Sequence, residues 1–232
     1  MSYLVLFVVC FFSGGLLLIR SKAWAVKSRI NILLAFSASY LLGICFLHLI
    51  PDIFAHGFQA AGLFLLIGFF LQLGLDYFSG GIEHGHTHIN SKRLGRFPLL
   101  VFVSLGIHSY LEALPVEHLA HEHNMNYYLV GLLLHKAPIA FVLVSLLLAY
   151  QLNKRLIWIA LFIFSILGPL GVWTGNLFES TANFLQASLA ISVGIILHLS
   201  TTILLETNEE HSIEWEKLLP ILFGILLSLF SI

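Results

Sequence analysis

Eight apolar stretches constrain this chain more than any other feature. They run roughly over Tyr3–Ile19, Ile30–Phe54, Phe58–Phe78, Phe97–Val116, Asn126–Tyr150, Leu156–Thr174, Asn183–Leu205 and Leu218–Ile232. Crossing the hydrocarbon core of a bilayer takes about 20 apolar residues per helix. A helix also satisfies its own backbone polar groups, which lipid cannot do. Only 10% of the 232 residues are charged, against about a quarter in a soluble domain. The pattern therefore predicts an all-α polytopic membrane protein of eight transmembrane helices. It reads as one transmembrane domain over residues 1–232, with a polar, histidine-containing loop at about 79–96. The opening M-S-Y-L-V-L lacks a basic n-region and a clear cleavage site, so it reads as a first span rather than a removed signal. A net charge of −1 gives nucleic acid nothing to bind. Cys10 and Cys45 sit inside apolar runs and form no disulfide framework.

The basic residues orient the spans. Arg20, Lys22, Lys27 and Arg29 fall in the first loop, and Lys92, Arg93 and Arg96 in the third. Lys154 and Arg155 fall in the fifth and Lys217 in the seventh, while the even-numbered loops hold none. By the positive-inside rule the odd loops are cytoplasmic and both termini lie outside. One miscounted helix would scatter these charges over both sides, so the alternation also checks the span count.

Two spans carry ionisable groups at mid-membrane, where such groups are costly and usually functional. The fourth contains G-I-H-S-Y-L-E-A-L-P, with His108, Ser109, Glu112 and Pro115; the fifth contains L-L-H-K-A-P, with His135, Lys136 and Pro138. His108 and Glu112 are four apart, so imidazole and carboxylate share one helix face. Two histidines and a glutamate from facing helices make a donor set suited to a zinc-class ion, with water completing an open site. Pro115 cannot donate to the carbonyl of Leu111, nor Pro138 to that of Leu134, so both helices are expected to break beside a ligand. The freed carbonyls are expected to accept from water or approach a cation. Lys136 would neutralise Glu112 while the site is empty. Its competing reading, a lysine snorkelling to an interface, conflicts with its mid-span position.

Other polar groups flank this centre. The second span places His48 and Asp52 one turn apart in C-F-L-H-L-I-P-D, either on a metal pathway or at a capped helix end. The third span ends in Gln72, Asp76 and Tyr77, read as a polar cytoplasmic helix end. Glu83, His84, His86 and His88 form a His-rich tract in the third loop, either a weak metal-capture site or a solvated linker. In the fourth loop Glu117, His118, His121, Glu122 and His123 make a ligand-rich, cation-free outer mouth, with His118 and Glu122 paired if that segment is helical. G-P-L-G (Gly168 to Gly171) is expected to break or bend the sixth span, and Glu179 follows it on the outer turn. The seventh span has small residues (Ala187, Ser188, Ala190, Ser192, Gly194) for close helix approach. Its His198 is either a pathway group or a hydrogen-bonded packing histidine. The seventh loop (Glu206, Glu209, Glu210, Glu214, Glu216) reads as a solvated acidic face.

Together these residues resemble the ZIP (Zrt-, Irt-like) metal transporters over nearly the whole chain. The most specific parts are H-S-x-x-E (His108, Ser109, Glu112) and H-K-x-P (His135, Lys136, Pro138), supported by H-L-I-P-D and P-L-G. The resemblance implies no enzyme activity. It implies uptake into the cytoplasm of Zn2+, or of a similar ion such as Cd2+, Fe2+ or Mn2+, across the plasma or inner membrane. The metal site it implies is His108, Ser109, Glu112 and His135, in a protein that is often a homodimer. Two features depart from the pattern. Ile139 stands where many members have an acid, and Lys136 stands where a second ion's ligand is common, which reads as a site for one ion. Ala113 also replaces a usual glycine. Two further classes stay open: a metal-binding sensor that does not cycle, and an intramembrane zinc hydrolase. The hydrolase lacks an obvious unassigned mid-span acid to serve as general base.

Overall fold

The computed structural model describes residues 2–19, 27–55, 57–82, 95–123, 126–178, 181–206 and 215–230. These residues are helical with short turns, and among them there is no strand. The helices are α1 (Ser2–Ile19), α2 (Lys27–Ile44), α3 (Ile50–Ala55), α4 (Ala61–Ser79) and α5 (Leu99–Leu111). They continue with α6 (Val116–His123), α7 (Asn126–Ala149), α8 (Lys154–Leu177), α9 (Ala182–Glu206) and α10 (Trp215–Leu229). Seven stretches of the described chain are helices long and apolar enough to cross a membrane, in the order the sequence predicts. α10, the eighth, has 15 residues and reaches about 22 Å, short of a 30 Å hydrocarbon core. The protein is thus an all-helical, multi-pass membrane protein.

Local chemistry sets several helix ends. Asn153 caps α8, its side chain accepting from Leu156 N–H at 2.7 Å. α4 ends at Gly80, whose left-handed φ of 69° lets its N–H return to Asp76 O. In the bundle α1 packs on α7 and α8, α4 on α9 and α5, and α2 on α7, α9 and α10. Contacts between ends fix which turns share a face. Ser2 Oγ donates to Glu117 at 2.9 Å, joining the start of α1 to α6. Gly95 N–H bonds Tyr150 O at 2.7 Å, joining the ends of the third and fifth loops at the other face. Arg96, Lys154 and Arg155 are exposed beside that second junction.

The helix interruptions do not fall where the prolines alone predict. The second span contains a π-helical turn over Cys45–Leu49, closed by an Ile50 N–H bond to Cys45 O. Pro51 follows directly; its ring crowds the turn before it and it has no N–H to give the carbonyl of Leu47, which favours a wider turn there. The fourth span does break, as expected. α5 ends at Leu111, and Ala113, Leu114 and Val116 donate three residues back rather than four before α6 resumes. The fourth loop is therefore helical through His123. α7, in contrast, runs unbroken through Pro138, and α8 unbroken through Pro169. The expected break at Pro138 is corrected, and of the break or bend expected at G-P-L-G the break does not occur: each helix continues past the single bond its proline removes.

In α8 the glycines serve close approach instead. A Cβ on Gly171 would lie 2.3 Å from Tyr110 O, and one on Gly175 2.1 Å from Leu114 O. α8 therefore rests directly on the interrupted backbone of α5. Gly171→Ala should destabilise the protein by about 1–3 kcal/mol, because the obstacle is backbone and cannot rotate away. Gly74→Ala, where a Cβ meets nothing within 4 Å, should leave stability unchanged. Thermal unfolding in detergent compares the two, and equal midpoints would contradict this packing.

Candidate metal centre

The last turns of α5 place His108 and Glu112 on one face, and α7 brings His135 against them. One donor atom from each of the three lies within 4.8 Å of the other two. All three residues are fully buried. His108 Nε2 stands 3.2 Å from Glu112 Oε2. Two ligands of a tetrahedral ion with bonds of about 2.1 Å are about 3.4 Å apart, so this pair is already spaced for one ion. The rings of His108 and His135 are edge to face, 5.9 Å between centroids. A turn of the His135 ring toward the pair closes a three-ligand site. It is the only group of three or more histidine, cysteine or carboxylate residues so arranged among the described residues.

Lys136, at 2% exposure, determines the electrostatics. Its ammonium donates to Ser109 Oγ at 2.8 Å, to Ser109 O at 3.2 Å and to Glu112 Oε1. Three donors meet three acceptors, which a buried ammonium requires. The carboxylate is thereby divided, with Oε1 on the lysine and Oε2 facing His108. Ser109 stands beside the ammonium, with its hydroxyl oxygen as acceptor, and lies outside the group of three. Gly168 lies alongside the lysine stem: a Cβ there would be in ordinary contact with Lys136 Cε, at 3.5 Å. Ile139 is buried in the apolar core, and Ala113 lies against Gly171.

The interrupted backbone is satisfied by side chains. Ser192 Oγ donates to Leu111 O at 2.9 Å, and Tyr128 OH to Glu112 O at 2.6 Å. The carbonyl that Pro115 frees accepts from Leu114 N–H as well as from Ser192 on α9, correcting the expectation that it turns to water or a cation. The bond from Tyr128 ties α7 to the residue that carries the carboxylate.

A second polar chain leads away from the site, and sequence reasoning missed its role. His108 Nδ1 lies 3.1 Å from Gln72 Oε1, and Gln72 Nε2 donates to Asp76 Oδ1 at 3.1 Å. Asp76 Oδ2 meets His198 Nε2 at 2.7 Å. The Asp76 side chain is 11% exposed, so it is a buried link rather than a solvated helix end. His198 is thus hydrogen-bonded to α4, with its ring edge-on to Phe69. The available signal was the i,i+4 spacing of Gln72 and Asp76 on one helix face.

Among the described residues, none of the remaining candidates joins this group of three. His48 lies in the π turn and stacks on Tyr127, ring centroids 4.5 Å apart, with Asp52 half-buried in α3. His118 is half-buried on α6, whose backbone also carries His121, Glu122 and His123. Glu83, His84, His86, His88 and Glu179 lie outside the described residues. No protein-family model matches the chain, and no curated protein matches it.

Removing the ammonium leaves a buried carboxylate uncompensated. Lys136→Met should destabilise the metal-free protein by about 3 kcal/mol or more, and zinc should restore more stability to the variant than it adds to wild type. Melting curves with zinc and with a chelator test this, and an unchanged metal-free midpoint would contradict the charge-balancing role.

Proposed function

We propose that this protein carries a divalent metal ion, zinc first among candidates, across a membrane into the cytoplasm. The observation that supports the reading best is the buried group of His108, Glu112 and His135 inside a multi-pass bundle, with an ammonium already neutralising its carboxylate. A purely structural ion pair needs only Glu112 and Lys136. Two imidazoles beside that carboxylate add a ligand set that packing does not require. The resemblance of H-S-x-x-E and H-K-x-P to the ZIP transporters points the same way, as does the alternation of basic loops, which gives the inward direction.

In this reading the empty site is held neutral by the Lys136–Glu112 pair. An arriving cation takes Glu112 Oε2 and the two imidazole nitrogens, while Oε1 remains with Lys136. One positive charge next to the ion weakens its hold at low dielectric, which suits a site that must also release its cargo. Water or Ser109 completes the shell. The His-rich loop at 84–88 and the α6 histidines serve as capture and hand-off groups at the two mouths, with His48, Asp52 and Glu179 along the way. The membrane is the plasma or inner membrane, and the carrier is a homodimer.

Radioactive zinc uptake into proteoliposomes tests the proposal. Wild type should show saturable uptake competed by other divalent ions, and Glu112→Ala or His108→Ala should abolish it. Full transport by either variant would sink the site assignment. Zinc binding without uptake would move the sensor reading ahead. Deleting His84–His88 should change the rate only.

A further inference from the structure

We propose that Gln72 is a positioning residue whose orientation, imposed by Asp76, fixes the tautomer of His108 and so presents Nε2 to the metal. The inference rests on the carrier reading above and assigns a new role to residues outside the three ligands. An ionised carboxylate only accepts hydrogen bonds. Asp76 Oδ1 therefore requires the NH2 end of Gln72, which stands 3.1 Å away. That places the amide oxygen of Gln72 toward His108 Nδ1, again at 3.1 Å. An amide oxygen also only accepts, so Nδ1 must carry the proton. The nitrogen left to face a cation is then Nε2, which stands 3.2 Å from Glu112 Oε2. His198 Nε2, 2.7 Å from Asp76 Oδ2, holds the carboxylate from α9 and completes the chain.

Burial gives this chain its authority. Gln72 is fully buried, so water does not offer its amide an easy alternative pairing. Metal-bound histidines commonly donate their second nitrogen to such a partner, and losing it typically costs 10–100-fold in affinity. Here the partner is an amide rather than a carboxylate, and its direction is set one residue further out. Asp76 thus selects the tautomer of a ligand it does not touch.

The test uses the purified full chain labelled with 15N-histidine, with the His108 signal assigned by its loss in His108→Gln. In the metal-free wild type His108 should be protonated on Nδ1. Asp76→Asn, nearly isosteric, lets Gln72 turn its amide around. It should populate the Nε2-protonated form and weaken zinc binding by about 10–100-fold. The double variant Gln72→Glu with Asp76→Asn exchanges carboxylate and amide, so the carboxylate again accepts from Nδ1–H and the lock should return. Gln72→Leu should lose it, and should it fail to fold, the exchange pair carries the test. An unchanged tautomer and affinity in Asp76→Asn, or no recovery in the double variant, would overturn the proposal. If the wild type binds no zinc, the carrier reading falls, and the metal-free tautomers still decide the lock.

Discussion

A carboxylate and an ammonium buried together in apolar surroundings set the terms for everything around them. Neither Glu112 nor Lys136 could remain charged alone at this depth, and each constrains what its neighbours do. The lysine takes one carboxylate oxygen and two acceptors on Ser109, which turns the other oxygen toward His108. That division is what makes the pair more than a cross-link between α5 and α7. One oxygen is committed to charge balance, and the other faces the His108 imidazole.

The surrounding helices accommodate this pair at some structural cost. Placing Glu112 at the end of α5 requires the backbone to leave its regular ladder just where Pro115 removes a donor. Ser192 and Tyr128 supply the missing bonds from α9 and α7, so the interruption is tied to two other helices. α8 covers it from another side, with glycines against the carbonyls of Tyr110 and Leu114. The same helix runs beside the lysine stem at Gly168. Packing, backbone satisfaction and charge balance thus converge on one segment of ten residues or so.

Much of this was legible in the sequence, and the misses have physical causes. Long apolar runs fix helical spans because lipid offers no other way to satisfy the backbone, and the seven described helices follow them closely. His108, Glu112 and His135 stood out because ionisable groups at mid-membrane require a reason. Proline was the weaker guide. The loss of one N–H breaks α5 at Pro115 but leaves α7 and α8 unbroken at Pro138 and Pro169. Whether a helix survives depends on neighbours, which a single sequence does not display. Asp76 reads from the sequence as a polar cytoplasmic helix end because its partner His198 is 122 residues away. Only the local half of that link, the spacing to Gln72, was written in the chain. The π turn at Cys45–Leu49 lay beyond a periodicity reading, since it changes the phase of only one turn.

The account depends most on the claim that Glu112, His108 and His135 together hold a cation. X-ray absorption at the zinc edge of the loaded, purified protein addresses it most directly. The account predicts two imidazole nitrogens and carboxylate or water oxygen at about 2.0–2.2 Å, a signature lost in Glu112→Ala. A shell containing sulfur from Cys10 or Cys45, or oxygen alone, would contradict it.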